Sequence, residues 1–264
     1  MAEITSTHNP KIQHVRALLN QKSARDEEKL FVVEGVRLAE EALAAGQLPV
    51  ELLYSSELSP RGLDIVDTYQ KLGADPVEVT PQVLTNLSAT ETTQGILLVL
   101  SQSLLPLPPL ADFIVVLDQI RDPGNMGTIL RSAAAAGAQA VFTPPGNTDP
   151  FSPKVVRSGM GAHFRLSLQD KTWPQIVDYC KNTQKPPLQL WLAESGGGKS
   201  CWQADLRTPL ALVIGGEADG ASEEARKAVD DLLNIPMPGK FESLNAAVAA
   251  GILLFEIVRQ RNQP

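Results

Sequence analysis

The chain has 264 residues, 43% apolar and 20% charged, a composition of a folded globular protein with one large or two ordinary domains, and not of a disordered or fibrous one. Its longest apolar run, Ala246 to Phe255, is too short for a bilayer and is broken by Gly251, and Met1-Ala2-Glu3 opens no basic-then-apolar secretory signal, so the expected location is the cytoplasm. A net charge of -7 argues against a nucleic-acid partner unless basic residues cluster, and Cys180 and Cys201, in no metal-ligand spacing, provide neither a disulfide framework nor a metal site.

In chain order, Asn9-Pro10 supplies an N-cap and a first helical residue, and Ile12, Val15 and Leu19 recur at helical spacing, which predicts a short basic helix. "LFVVEG" (30–35) reads as a strand, Leu38 to Leu43 as a helix stopped by Gly46, and "VELLYSS" (50–56) as a second strand. Ser59-Pro60 caps a helix closed by Gly73, followed by a strand near Pro76 to Val79, a helix from Pro81 and the strand "GILLVL" (95–100). This alternation predicts a small α/β domain over 1–100 with a mainly parallel sheet. "SQSLLPLPPLAD" (101–112), rich in proline, suits neither helix nor strand and reads as a linker. From 113 to 264 a second α/β domain is expected, with strands "FIVVLD" (113–118), "QAVFTP" (139–144), "LQLWLA" (188–193) and "LALVIGG" (210–216), and helices from Asn125 to Ala136, from Ser222, and from Asn245 to Arg259.

The basic residues do cluster. From Ile4 to Arg25 the chain has Lys11, Arg16, Lys22 and Arg25 with His8 and His14 and no acid; from Pro150 to Gln169 it has Lys154, Arg157, His163 and Arg165, again with no acid. Each run reads either as a phosphate-facing patch or as a solvated helix face.

"AESGGGKS" (193–200) nearly matches a phosphate-binding loop, with Ala193 where the motif has glycine. A working loop needs a helix behind it whose N–H groups face the phosphates. Here Pro209 and the next strand follow too soon for a full helix, and the carboxylate of "FIVVLD" comes before the glycines in the chain. The plain reading is a Gly-rich turn between neighbouring strands; its rival is a nucleotide-dependent phosphotransferase with Lys199 on the phosphates.

Three other segments place polar groups at strand-to-helix turns: "LDQIRDPGNMGTILRSAAAAG" (117–137), "LVIGGEADGAS" (212–222) and "IPMPGKFESLNAAVAAGILLFEIVRQR" (235–261). In this order and spacing they resemble the signature motifs of the SpoU (TrmH) family of RNA ribose 2'-O-methyltransferases, in the SPOUT superfamily. The resemblance covers nearly the whole chain, because "NPKIQHVRALL" and "LFVVEGVRLAEEAL" are similar to the family's amino-terminal substrate-binding domain.

The resemblance implies a trefoil-knotted, parallel-sheet methyltransferase domain preceded by a small α/β RNA-binding domain of ribosomal-protein type. It implies S-adenosylmethionine as cofactor, contacted by Gly215, Ile235 and Leu244, and no metal. Arg131, Asn125, Glu217, Ser243 and Asn245 match the family's catalytic polar set, although Glu217 reads equally as a structural N-cap acid, and Ile235 and Leu244 as core. Ala218 replaces a glycine common in the second motif, which bears on that loop's conformation. Lys11, Arg16, Arg25 and Arg157, with Arg165 behind them, are the candidate RNA contacts; a structural role for Arg157 stays open. A homodimer is implied, and ribosomal RNA is the leading substrate with tRNA behind it. The reading of another class is an RNA-binding factor that keeps the fold without catalysis.

Overall fold

The computed structural model describes residues 3–88, 93–102, 105–216, 220–239 and 241–262. Among them the elements are α1 (Pro10–Asn20), α2 (Lys22–Glu28), β1 (Leu30–Glu34), α3 (Val36–Ala44), β2 (Glu51–Tyr54), α4 (Pro60–Lys71), β3 (Pro76–Glu78), α5 (Pro81–Leu87) and β4 (Ile96–Ser101). They continue with β5 (Phe113–Asp118), α6 (Pro123–Ala135), β6 (Ala140–Thr143), α7 (Pro153–Gly159), β7 (Ser167–Asp170), α8 (Trp173–Asp178), β8 (Gln189–Ala193), β9 (Lys199–Ser200), β10 (Leu210–Gly215), α9 (Glu223–Ala228), β11 (Asp231–Asn234) and α10 (Ala246–Arg261). The chain forms two compact units, Met1–Leu104 with Phe151–Phe164, and Leu105–Pro150 with Arg165–Pro264.

In the first unit the helix starts follow local chemistry. Asn9, Ser59 and Thr80 each accept a backbone N–H of the first turn and each is followed by proline. The sheet order is β1-β4-β2-β3, and here the expectation of a mainly parallel sheet fails: β4 runs antiparallel to both β1 and β2, and only β2 and β3 pair in parallel. Ile96 to Leu100 is buried on both faces, so β4 shows the continuous apolar pattern that parallel strands share. Periodicity reports burial; it does not report direction. Ile12, Val15 and Leu18 of α1 close one face over Val32, Leu53 and Val99.

Phe151–Phe164, expected in the second domain, packs with the first unit. The rings of Phe151 and His163 lie 5.1 and 5.9 Å from that of Phe31, and α7 lies along β1. Of the proline-rich segment, Ser101 ends β4 in the first unit, and the part from Leu105 on, with its three prolines, belongs to the second unit, where carbonyls find partners: Tyr179 donates to Pro108 O at 2.7 Å and Gln184 to Pro109 O at 3.2 Å.

The second unit carries a sheet ordered β7-β6-β5-β10-β8-β11-β9, every described pair parallel. Such a sheet is covered on both faces, which is why β5 and β10 are near-continuous apolar runs. Ile114, Val116, Ala211 and Val213 face the layer of α8 and α9, while α10 packs on α6 and β10. From β5 the chain moves outward to β6 and β7, then crosses to β8 on the far side of β10. Ligands of open parallel sheets bind at the carboxyl ends of strands where the order reverses, which here lies at β5 and β10.

Candidate active site

A cavity of about 510 Å³ opens at that end of the sheet. Its walls are the carboxyl ends of β8, β10 and β11 together with the segment that enters α10, and the volume suits a small-molecule ligand. Gly215, Ile235 and Leu244, the residues expected to hold the cofactor, all line it, and so do Ser243 and Asn245.

Glycine is required in the turn after β10 because backbone passes close by. A Cβ on Gly216 would sit 2.1 Å from Gln119 O, which no side chain tolerates. Gln119 itself adopts the left-handed conformation, φ 61°, and Gly216 bridges to Gly220 to close the turn. Glu217 and Ala218, singled out in this turn, lie outside the described residues.

Asn245 caps α10: its Oδ1 accepts the backbone N–H of Ala247 at 3.0 Å and of Val248 at 3.2 Å. That fixes the orientation of the amide, because the oxygen is committed to the helix and Nδ2 must face the other way. Nδ2 donates to Asn125 Oδ1 at 3.1 Å, and Asn125 donates its backbone N–H to Asp122, the cap of α6, at 2.8 Å. Two helix starts from distant parts of the chain are thereby tied together beside the cavity. Arg131 stands apart from this set. It lies on an exposed stripe of α6 with Thr128 and Ala135, does not line the cavity, and makes no ion pair or side-chain hydrogen bond among the described residues.

Some lining residues were not foreseen. Glu194 and Ser195 follow β8, and Met237 and Glu242 precede α10. Glu194 is held by Arg226 of α9 at 2.5 Å. The signal that could have found Glu194 was its place straight after an apolar strand, but the glycines behind it drew the phosphate-loop comparison instead.

Those glycines form a structural turn. A Cβ on Gly198, φ +74°, would lie 2.2 Å from Leu232 O, and Asn234 Nδ2 donates to the carbonyls of Gly197 and Gly198 at 2.9 and 3.1 Å. A phosphate loop points N–H groups at an anion and leads into a helix. Here carbonyls accept an amide, and Lys199-Ser200 continues as β9 alongside β11. Lys199 pairs with Asp231 at 2.6 Å and lies over the ring of Trp191 at 5.2 Å.

Of the basic residues in the first unit, Lys11 is exposed and Arg16 half-buried, and neither has an ion pair among the described residues. Arg25 is different. It is 4% exposed, and its guanidinium donates to Leu18 O at 2.6 Å and Leu19 O at 3.3 Å, the carbonyls left over at the end of α1. Its geometry is that of a helix cap, which replaces the RNA reading. Arg157 faces Glu34 of β1 at 3.8 Å within the same unit, the structural role left open for it. Nearby, His14 bridges Glu28 at 2.7 Å and Glu51 at 2.9 Å; burial opposes its protonation, but the two carboxylates outweigh burial and raise its pKa above 6.5.

Residues 112–255 match the SpoU rRNA Methylase family, and residues 9–98 match the MRM3-like substrate binding domain. An uncharacterized tRNA/rRNA methyltransferase of Synechocystis is 31% identical over 99% of this chain and 95% of its own length. A 23S rRNA (guanosine-2'-O-)-methyltransferase of Xylella fastidiosa is 36% identical over 80% of this chain and 88% of its own. The crystal structure of an AdoMet-bound rRNA methyltransferase from Sinorhizobium meliloti superposes with a TM-score of 0.86 at 32% identity, covering 98% of this chain and 97% of that one. With Gly215, Ile235, Ser243, Leu244 and Asn245 lining one cavity and a family match that runs from before β5 into α10, the chain belongs to the SpoU rRNA methylase family.

Proposed function

We propose that the protein transfers a methyl group from S-adenosylmethionine to a ribose 2'-hydroxyl of ribosomal RNA. The observation that carries this reading is the character of the cavity. Its described lining holds Glu194 and Glu242 but no lysine or arginine, with apolar walls from Ile235, Met237, Leu244 and Leu253. Among the described lining residues a triphosphate would meet no lysine or arginine, the nearby Arg226 being engaged with Glu194; a ligand with an aromatic ring and positive charge meets apolar surface and carboxylates. When bound, the cofactor supplies an electrophilic methyl group already activated on sulfonium.

What remains for the protein is to place the hydroxyl in line and assist loss of its proton. The Asn125–Asn245 bond sets the spacing of the two helix starts beside the cavity, and Ser243 offers a hydroxyl on the same wall. Arg131 is a poor base, with a pKa above about 12. Its role is to bind the phosphate beside the target ribose and stabilise the developing alkoxide, and its exposed side chain, without a partner among the described residues, suits that role. Glu217 orients Arg131 by a charge-assisted bond in this reading.

The relatives named for rRNA and the substrate-binding match favour ribosomal RNA over tRNA, with Lys11 and Arg16 as the proposed contacts of the first unit. Val248, Ile252 and Phe255 form one stripe along α10 and are 51, 39 and 50% exposed, which supports a homodimer through this helix. The trefoil threading belongs to the same proposal; it is supported by the family resemblance and is compatible with β10 lying between β5 and β8 and α10 packing on α6. Among the described residues no helix is long and apolar enough to cross a membrane, and the proposed location is the cytoplasm.

Isothermal titration with S-adenosylmethionine and with ATP tests the reading. Binding of the first alone is expected; binding of ATP alone overturns it.

A further inference from the structure

β5 ends in Asp118, a carboxylate with 0% exposure. Three donors converge on it. The indole N–H of Trp173 and the hydroxyl of Ser222 reach Oδ1 at 3.0 and 3.1 Å, and the backbone N–H of Ser222 reaches Oδ2 at 2.6 Å. Among the described residues no lysine or arginine pairs with it, so these donors alone compensate a buried charge that is otherwise costly.

The position explains the arrangement. Asp118 stands opposite Gly215 in the register of β5 and β10, where the glycine turn begins, and it is bonded to Ser222, where the turn ends. Ser222 in turn caps α9, its hydroxyl accepting the N–H of Ala225 at 3.1 Å. Between these anchors Gly215, Gly216, Gly220 and Ala221 form a wall of the cavity. Asp118 does not line the cavity, yet it grips both ends of the turn that does.

We infer that Asp118 is the positioning residue of this turn: through Ser222 it holds the glycine wall at the spacing the cofactor needs, without touching the ligand. The inference rests on the reading of the cavity as the S-adenosylmethionine site. Asparagine is the informative replacement. The indole and the backbone N–H are donors only and sit on different carboxylate oxygens, so an amide with one oxygen satisfies one and sets its own NH₂ against the other.

The test uses the full-length protein, with calorimetric S-adenosylmethionine affinity, steady-state methyl transfer and thermal unfolding for each variant. Asp118→Asn is expected to raise Kd and KM for S-adenosylmethionine about tenfold, the size of a lost bond to a charged group. At saturating cofactor its kcat stays within about threefold of wild type, because ligand binding and not the reacting geometry is altered. Ser222→Ala moves KM in the same direction and carries the comparison if Asp118→Asn does not fold. Trp173→Phe removes the donor remote from the turn, so it lowers the unfolding temperature and leaves Kd unchanged. Wild-type affinity in both Asp118→Asn and Ser222→Ala, or a fall in kcat with KM unchanged, overturns the inference and leaves the cofactor reading standing. A wild-type protein that binds no S-adenosylmethionine overturns both.

Discussion

Asn245 donates its side-chain amide to the carboxamide oxygen of Asn125 at 3.1 Å, joining the cap of α10 to the first turn of α6 across 120 positions of sequence. Either side chain cut to alanine releases one helix start from the other. A displacement of about 1 Å near a reacting centre costs on the order of 10²-fold in rate, and that loss in methyl transfer is expected for Asn125→Ala and Asn245→Ala alike. Their stabilities differ. Asn245→Ala also removes the two bonds that cap α10 and loses about 1 kcal/mol more. In the double variant the rate effects are non-additive, which a double-mutant cycle reads directly.

Arg25 is expected to govern stability. Arg25→Gln leaves the last carbonyls of α1 without their buried donor and destabilises the first unit by about 1.5–3 kcal/mol in denaturant titration. RNA affinity per folded molecule stays at the wild-type value. Arg16→Ala is the contrasting variant: it weakens RNA binding and lowers the salt slope by about one counterion. An RNA affinity that falls with Arg25→Gln in folded protein would restore the contact role.

The His14 clamp makes a pH prediction. With its folded pKa above 6.5, His14 contributes stability that is fully present below the unfolded value and is lost as pH rises through the folded value. Unfolding free energy is therefore expected to fall across that window above 6.5, and His14→Gln flattens that fall. A His14→Gln profile parallel to wild type contradicts the clamp.

How much of this was legible in sequence depended on the range of the interaction. Asn9, Ser59 and Ser222 mark helix starts through bonds to residues two or three positions away, so residue type alone locates them. β4's antiparallel entry between β1 and β2, and the joining of Phe151–Phe164 to β1, are set by partners far along the chain, and an apolar run carries no record of either. Arg25 sat in an acid-free basic run that composition presents as one face, while its side chain turns inward. The cavity residues Gly215, Ile235, Ser243, Leu244 and Asn245 were reached only through three motifs taken together. Asp118 ends an apolar strand, but its partners Trp173 and Ser222 lie 55 and 104 positions away, so residue type alone does not locate its role.

The glycine turn after β8 gives the complementary prediction. Gly198→Ala places a Cβ against Leu232 O in a left-handed conformation and is expected to destabilise by about 1–3 kcal/mol or more. Lys199→Ala removes a surface ion pair and an exposed contact with the Trp191 ring and stays within about 1 kcal/mol of wild type, with S-adenosylmethionine affinity unchanged. Thermal unfolding and titration calorimetry check both; loss of cofactor binding in Lys199→Ala would return that lysine to the site.

The central claim is methyl transfer to a ribose of ribosomal RNA that depends on Arg131. Ribose-methylation mapping of total RNA, from cells lacking the protein and from the same cells supplied with wild type or Arg131→Ala, tests it most directly. The account predicts a 2'-O-methyl group in ribosomal RNA that disappears without the protein, returns with wild type and does not return with Arg131→Ala, although that variant still binds S-adenosylmethionine. A site confined to tRNA, an unchanged ribosomal RNA pattern, or full restoration by Arg131→Ala would contradict it.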